Sequence, residues 1–191
     1  AGVSDIPVGR ASLGAFSPDN RQLAMTLNTA TSPSDIFTLP VSADGLDHGA
    51  MTRWTASEVA GLDASQFVEP TLIHYPTFDS VQGVPRPIPA WVYKPVSEGP
   101  HPVIISIHGG PESQFRPGFS STFQQWIADL GAAVIAPNVR GSAGYGRDYV
   151  QLDNGFKRED SVRDIDALLD WIETQPDLDK DRIAVFGGSY G

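Results

Sequence analysis

The stretch IAVFGGSYG, residues 183–191, places a turn of glycine and serine directly after a short apolar run. Its last part, from Gly187 to Gly191, matches the pattern G-x-S-x-G. A serine at a sharp turn after a strand takes a strained conformation, and side chains two residues before and after it would collide with their neighbours. The pattern therefore predicts that Ser189 presents its hydroxyl above a sheet edge, where a histidine can take its proton as it attacks a carbonyl carbon.

Glycine-rich turns after strands also bind phosphate groups, so the pentapeptide needs context. Those phosphate sites require G-x-G-x-x-G or a G-K-[ST] ending, and neither occurs here. A Gly-Ser turn without chemistry is the plain alternative.

Apolar runs and amphipathic stretches alternate upstream of this turn. The continuous runs are typical of strands buried on both faces, and the amphipathic stretches recur at helical spacing. The order β-α-β-α-β predicts a parallel sheet with flanking helices, whose function lies at the carboxyl ends of the strands. The predicted strands are 103–107, 132–136 and 183–186, and the predicted helices are one through Phe123, Trp126, Ile127 and Leu130 that Gly131 ends, and one from Ser161 to about Thr174.

An earlier segment has a different character. Residues 23–27 and 36–39 are short β-prone runs separated by polar residues and proline, which predicts antiparallel strands. Because a single hairpin is not stable alone in water, we expect it to need further strands from outside this chain.

The segment IHGGPESQF, residues 107–115, follows the first predicted buried strand. An α/β-hydrolase places one oxyanion donor in the loop at this point, and the other is the N–H of the residue after the nucleophile. The main-chain N–H groups of Gly110 and Tyr190 are therefore the predicted donors. The alternative is a simple turn fixed by Pro111, with His108 bonded to local backbone.

No triad partner for the serine is found upstream. In this fold the chain order is serine, then acid, then histidine, whereas every histidine here precedes Ser189. The acidic residues considered are better interpreted as solvated or helix-starting carboxylates. A metal pair of His101 and His108 lacks a third ligand at suitable spacing, so no metal or cofactor is predicted. The histidines are His48, His74, His101 and His108, and the acids are Asp79, Asp153, Asp160 and Asp166.

The net charge of the chain limits the classes of partner that we expect. With 13 basic and 23 acidic side chains the net charge is −10, which repels phosphate backbones and anionic lipids. We therefore expect neither nucleic acid nor a membrane as partner, and no apolar run approaches the roughly 20 residues that span a bilayer. The absence of cysteine excludes disulfides and thiolate nucleophiles but leaves the compartment open, whether cytoplasmic, periplasmic or secreted, and the oligomeric state is open too.

Four motifs in a fixed order resemble the prolyl oligopeptidase family of serine peptidases, and in particular its acylaminoacyl-peptidase and dipeptidyl-peptidase-like branch. The resemblance covers residues 67–191, and the segment from FSPDN to SDIFTLP resembles the last blade of that family's β-propeller. It implies an α/β fold: a partial α/β-hydrolase with a parallel-rich sheet and flanking helices, preceded by a remnant β-propeller blade. The motifs are HGGP (108–111), PNVRGSAGYG (137–146), NGFKRED (154–160) and GGSYG (187–191).

The resemblance implies domain boundaries and a function. Residues 1–60 would be the end of a propeller with its connector, and 61–191 the first part of the catalytic domain. A serine-type peptidase would cleave short peptides through an acyl-enzyme on Ser189, with residues 140–146 as supporting loop. The family's triad Asp and His would lie downstream, so we expect this chain to be a fragment that is inactive alone. Within 78–91 (FDSVQGVPRPIPAW) we expect a longer turn than the tight hairpin of relatives.

Two other functions stay open. A carboxylesterase or lipase shares the serine turn and a glycine-rich loop, although it more often has HGGG and no blade in front. A non-catalytic scaffold that binds peptides is the second alternative, and an intact Ser189 argues against it.

Overall fold

A computed structural model describes residues 6–45, 47–59 and 61–191. They fold into two units. One is built from the described residues up to Phe67 together with Arg116–Thr122, and the other from Val68–Phe115 together with Phe123–Gly191.

The first unit is a four-stranded antiparallel meander in the order β1-β2-β3-β4. Both predicted strands are present as β2 and β3. The expectation that their partners lie outside the chain was wrong, because β1 and β4 come from this chain. Four antiparallel strands in sequence are the architecture of one propeller blade. The strands are β1 (Arg10–Phe16), β2 (Gln22–Asn28), β3 (Asp35–Pro40) and β4 (Thr52–Arg53).

A buried carboxylate fastens the residues after β4 to the sheet. Asp35 accepts hydrogen bonds from the Thr55 hydroxyl at 2.7 Å and from the Ser57 main-chain N–H at 2.9 Å, and it pairs with Arg53. Burial raises the pKa of Asp35, but these donors outweigh it and hold the pKa below its usual value. The carboxylate therefore stays charged and organises this edge of the meander.

The second unit is built on a five-stranded mixed sheet in the order β5-β6-β8-β7-β9. Strands β5, β6 and β8 pair antiparallel, whereas β7 pairs parallel with both β8 and β9. Its core joins apolar side chains of the sheet to the inner face of α3. The elements are β5 (Thr71–Val81), β6 (Val84–Tyr93), β7 (His101–Ile107), α1 (Ser121–Leu130), β8 (Ala133–Pro137), α2 (Arg147–Val150), α3 (Asp160–Glu173) and β9 (Leu178–Gly187).

The predicted alternation β7-α1-β8-α3-β9 is confirmed. Gly131 follows α1 with φ 59°, a left-handed conformation that ends a helix at low cost. The carboxyl ends of β7, β8 and β9 therefore reach the same edge of the sheet, and the predicted motifs follow those ends. None of the described helices has the length and apolar character needed to cross a membrane.

Two expectations about strands were wrong. The turn within 78–91 is tight, because Val81 pairs with Val84 and only Gln82 and Gly83 lie between them. Both have positive φ, 53° and 81°, as a two-residue hairpin turn of the primed type requires. The two strands differ in length at another place: between the pairs Pro76–Pro87 and Ser80–Pro85 the register shifts, because β5 has more residues there than β6.

Strand β9 is not buried on both faces as predicted. Val185 is 62% exposed and Phe186 is 52% exposed. The reason is its place in the sheet: among the described strands it pairs only with β7, and so it forms an edge. Phe186 packs edge-on against Trp126 of α1, with ring centroids 5.2 Å apart, which covers part of one face.

Candidate active site

The chain turns sharply where β9 ends. The Gly191 N–H donates to the Gly188 carbonyl at 3.0 Å and closes the turn around Ser189. Ser189 has φ 60°, a left-handed conformation that costs a non-glycine residue about 1–3 kcal/mol. Its side chain is exposed. The strained serine that the sequence predicted is therefore present, and its hydroxyl is accessible.

The glycines around the serine have the predicted steric reason. A Cβ at Gly187 would lie 2.3 Å from the Gly191 carbonyl carbon, and one at Gly191 would lie 2.3 Å from the Ile107 carbonyl oxygen. Both distances are far below van der Waals contact with backbone atoms. Gly188, by contrast, has no neighbour within 4 Å of such a Cβ. The turn needs glycine at the two outer positions of G-x-S-x-G and not at Gly188.

The HGGP segment lies directly against this turn. A Cβ at Gly109 would be 3.0 Å from the Gly188 carbonyl oxygen and 3.2 Å from the Ser189 Cβ. Gly110 has φ 145°, and a Cβ there would be 2.9 Å from the Glu112 nitrogen. The structure thus brings together the two segments that the sequence singled out at the ends of β7 and β9.

Two main-chain donors lie next to the serine without partners in the described chain. The N–H groups of Gly110 and Tyr190 donate to none of the described residues. Each is therefore available to bind an oxygen of a ligand. Main-chain amides can stabilise negative charge that develops on a carbonyl oxygen during attack.

The loop after β8 holds the HGGP loop through three polar links. The His108 Nε2 lies 2.9 Å from the Ser142 Oγ, and the Ala143 N–H donates to the Ser113 carbonyl at 2.7 Å. The buried Asn138 side chain accepts from the Phe115 N–H at 2.7 Å and donates to the Phe115 carbonyl at 3.0 Å. The two loops are therefore connected along the length of the HGGP segment.

Arg140 anchors that second loop. Its side chain is 3% exposed and binds Asp164 of α3 through Nε at 2.9 Å and Nη2 at 2.8 Å. It also reaches Asp79 at 3.0 Å, and Thr77 donates to Asp164 at 2.7 Å. A two-pronged pairing of guanidinium with a buried carboxylate fixes both position and orientation. The interpretation of Asp79 as a solvated carboxylate was wrong, since it pairs with Arg140 and Arg86.

Asp153 is another acid that the sequence reasoning misjudged. It is 0% exposed, and neither carboxyl oxygen has a hydrogen-bond partner among the described residues. Burial raises the pKa of Asp153, since removal from water disfavours the charged form. Its carboxyl packs on Gly141, where a Cβ would be 2.4 Å from the Asp153 Cγ. Gly141 therefore has to be glycine, and its φ of 91° fits that.

Two supporting residues escaped the sequence analysis, Asn138 and Asp164, whereas Ser142 lies within the supporting loop expected at 140–146. Asn138 lies within the PNVRGSAGYG motif, so the motif was the available signal. Asp164 shares its helix face with the buried Leu168 and Ile172, four and eight residues further on. A carboxylate on an apolar helix face indicates a buried charge partner.

Three of the described histidines, His48, His101 and His108, contact groups other than the serine. No hydrogen bond within the described chain joins Ser189 to a histidine or a carboxylate. The two ring nitrogens of His101 face the carbonyls of Gly131 and Ser97 at 3.2 and 3.1 Å. His101 begins β7 and His108 follows its end, about 23 Å away at strand spacing, so the two cannot share a metal. The described residues contain no group of three or more candidate metal ligands.

A cleft of about 350 Å³ opens beside the turn. Its lining includes His108, Tyr190 and the loop after β8, together with Val162 and Ile165 of α3. The Arg158 guanidinium lies 5.1 Å from the centre of the Tyr190 ring. This cation–π contact attracts the guanidinium to the face of the Tyr190 ring.

Comparison with known proteins confirms the resemblance. Residues 117–191 match the family model described as the prolyl oligopeptidase family. An uncharacterized peptidase of Bacillus subtilis is 29% identical over 184 residues, which are 93% of this chain and 26% of that protein. Dipeptidyl aminopeptidase BIII of Pseudoxanthomonas mexicana is 34% identical over 95 residues, 50% of this chain and 14% of that protein. The acylamino-acid-releasing enzyme of Arabidopsis thaliana is 29% identical over 182 residues, 85% of this chain and 23% of that protein.

Solved structures confirm the predicted fold class. A structure from a study of two prolyl endopeptidases has a TM-score of 0.77 and 22% identity, and covers 97% of this chain and 26% of its own. The acylaminoacyl peptidase of Pyrococcus horikoshii has a TM-score of 0.68 and 20% identity, and covers 97% of this chain and 28% of its own. The chain thus spans about a quarter, or less, of the length of these relatives.

Proposed function

We propose that the protein carrying this chain is a serine-type peptidase that cleaves short peptides through an acyl-enzyme on Ser189. The observation that carries the proposal is the left-handed Ser189 at the end of β9, packed against Gly109 of the HGGP loop. Such a strained, exposed serine beside unpaired main-chain amides is the arrangement that acyl transfer requires.

The chemistry follows from the neighbouring groups. The Ser189 oxygen attacks the carbonyl carbon of the scissile peptide bond, and the N–H groups of Gly110 and Tyr190 bind the resulting oxyanion. A proton acceptor takes the Ser189 proton and gives it to the amine, which leaves as the peptide C–N bond breaks. Water then gives a proton to the same acceptor and attacks the acyl carbon, the ester bond to Ser189 breaks, and Ser189 regains its proton as the carboxylic acid product leaves. No cofactor is needed in either half of the reaction.

We further propose that the proton acceptor and its acid come from a part of the protein outside these 191 residues. Support comes from the engagement of His48, His101 and His108 with other groups. A serine without its base is a weak nucleophile, so the 191-residue chain alone would be inactive.

The domain assignment is part of the same proposal. Residues 1–60 would close a propeller and 61–191 would open the catalytic domain. Short peptides are the proposed substrates and partners. Prolyl oligopeptidase B of Galerina marginata, which has a TM-score of 0.77 and 20% identity to this chain, was solved bound to a 35-residue peptide substrate.

The test measures how fast the full-length protein hydrolyses amide substrates and ester substrates. Short chromogenic peptides, with free and with acylated N-termini, are assayed beside p-nitrophenyl esters, with Ser189→Ala as control. We expect peptide hydrolysis that Ser189→Ala abolishes. Hydrolysis of esters without peptides would favour the carboxylesterase, and binding of peptides without any turnover would favour the scaffold.

A further inference from the structure

The His108 ring contacts the next residue's carbonyl. Its Nδ1 lies 2.8 Å from the Gly109 oxygen, and its Nε2 lies 2.9 Å from the Ser142 Oγ. A carbonyl oxygen can only accept a hydrogen bond, so Nδ1 carries the proton in this contact. The Ser142 Oγ also lies 2.6 Å from the Val139 carbonyl, which its hydroxyl can donate to.

The direction of this bond does not depend on the second ring nitrogen. If the Ser142 hydroxyl donates to the Val139 carbonyl, Nε2 donates to the Ser142 Oγ. If the hydroxyl donates to Nε2 instead, Nε2 accepts. In both states Nδ1 donates to Gly109, and Ser142 holds the far side of the ring.

The bond to Gly109 controls the amide on the other side of the same peptide unit. The Gly109 carbonyl and the Gly110 N–H belong to one planar trans peptide, and they point in opposite directions. Both flanking residues are glycines, so the peptide plane has little intrinsic preference. A donor fixed on the Gly109 oxygen therefore fixes where the Gly110 N–H points.

We propose that His108 is a positioning residue that sets the Gly109–Gly110 peptide plane and so aims the Gly110 N–H at the oxyanion. The inference rests on the proposed function, because it assigns a reason for His108 in the same reaction. Ser142 orients the ring, and Arg140 in turn anchors the loop that carries Ser142. The effect of His108 is on the transition state and the tetrahedral intermediate, since the bound peptide carries no oxyanion before the attack.

Two substitutions distinguish the role of the His108 Nδ1 from the role of its Nε2. In His108→Asn the side-chain amide stands close to the position of Nδ1 and can still donate to Gly109. In His108→Gln the amide reaches toward the position of Nε2 and leaves the Gly109 oxygen without its donor. Both variants are neutral and similar in polarity, so each is the matched control of the other.

The experiment measures kcat and KM for a short chromogenic peptide with the full-length protein. We expect His108→Gln to lower kcat at least about tenfold with KM within about twofold, against a loss of roughly 100-fold to 1,000-fold when an oxyanion donor is removed outright. We expect His108→Asn to stay within about threefold of the unmodified protein. A wild-type kcat in His108→Gln, or equal losses in both variants, would overturn the proposal.

Ser142→Ala keeps the inference testable if His108→Gln does not fold. It removes the anchor of the ring and leaves His108 in place, so kcat should fall by about threefold to tenfold at unchanged KM. An unchanged kcat in Ser142→Ala would contradict the inference. Failure of the proposed function is distinguishable: it would show as no turnover by the unmodified protein or as turnover that persists in Ser189→Ala.

Discussion

Gly109 and Ser189 approach so closely that a methyl group on Gly109 would lie 3.2 Å from the Ser189 Cβ and 3.7 Å from its Oγ. They belong to loops at the ends of neighbouring parallel strands, β7 and β9. The contact therefore sets the distance between the serine and the amides of the HGGP loop. We expect a change in this spacing to affect the reaction more than folding.

Gly109→Ala tests this spacing. The added Cβ is tighter than ordinary contact, and so the two loops have to move apart by a few tenths of an ångström. We expect a kcat at least tenfold lower in the full-length protein, with a loss of unfolding free energy of about 1–3 kcal/mol at most. Peptide turnover and urea unfolding measure the two effects, and an unchanged kcat would show that the spacing is not critical.

Gly187→Ala and Gly188→Ala form a matched pair within one turn. At Gly187 the new Cβ would meet backbone at 2.3 Å, whereas at Gly188 it would meet nothing within 4 Å. We expect Gly187→Ala to lose about 1–3 kcal/mol of unfolding free energy and all turnover, and Gly188→Ala to stay close to the unmodified protein. Urea unfolding monitored by tryptophan fluorescence, with peptide turnover, decides between them. Equal behaviour of the two variants would refute the steric account of the motif.

Arg140→Met should destabilise the protein because it removes the cation that pairs with Asp164. Asp164 is buried, and an unpaired buried carboxylate costs about 3–5 kcal/mol. We expect a loss of that size in urea unfolding, partly recovered by adding Asp164→Asn. The control is Arg163→Met, an exposed ion pair with Asp160 that should cost at most about 1 kcal/mol. Strictly additive losses in the double variant would contradict a direct coupling.

Asp153 predicts an unusual dependence of stability on pH. Because burial raises its pKa in the folded protein, the folded state binds the proton more tightly than the unfolded chain. The free energy of unfolding that protonated Asp153 contributes is therefore complete below the ordinary carboxyl pKa. It declines as pH rises through the raised pKa of Asp153 in the folded protein. We expect Asp153→Asn to be more stable than the unmodified protein at pH 7, by about 1–3 kcal/mol, and to lose this advantage on acidification.

The measurement is urea unfolding of both proteins from roughly pH 4 to pH 8, which covers the ordinary carboxyl pKa and the pH range above it. Asp166→Asn, at an exposed carboxylate of α3, is the control for the same chemical change at the surface. A difference between Asp153→Asn and the unmodified protein that stays constant with pH would mean that Asp153 is charged in the fold.

Much of this architecture could be predicted because its signals are local. The helical spacing of Phe123, Ile127 and Leu130 and the stop at Gly131 located α1, and the apolar runs located β7 and β8. The glycines of G-x-S-x-G carry their steric reason in their own spacing. The strained φ of Ser189 was predictable on the same basis.

The misjudged features depend on contacts between residues far apart in sequence. Nothing beside Asp153 in the sequence shows that Gly141 will cover it, and nothing beside Arg140 identifies Asp164 as its partner. The hairpin at Gln82 was misjudged because a non-glycine residue with positive φ has no clear local signal. Strand β1 escaped because its side chains are all exposed and show no buried face.

The central claim is that the Ser189 hydroxyl is a nucleophile. The most direct measurement is labelling of the full-length protein with a fluorophosphonate, followed by peptide mass spectrometry, with Ser189→Ala in parallel. We predict one phosphonate on the peptide that contains Ser189 and no labelling of the variant. An unlabelled protein, or a label that persists in Ser189→Ala, would contradict the account.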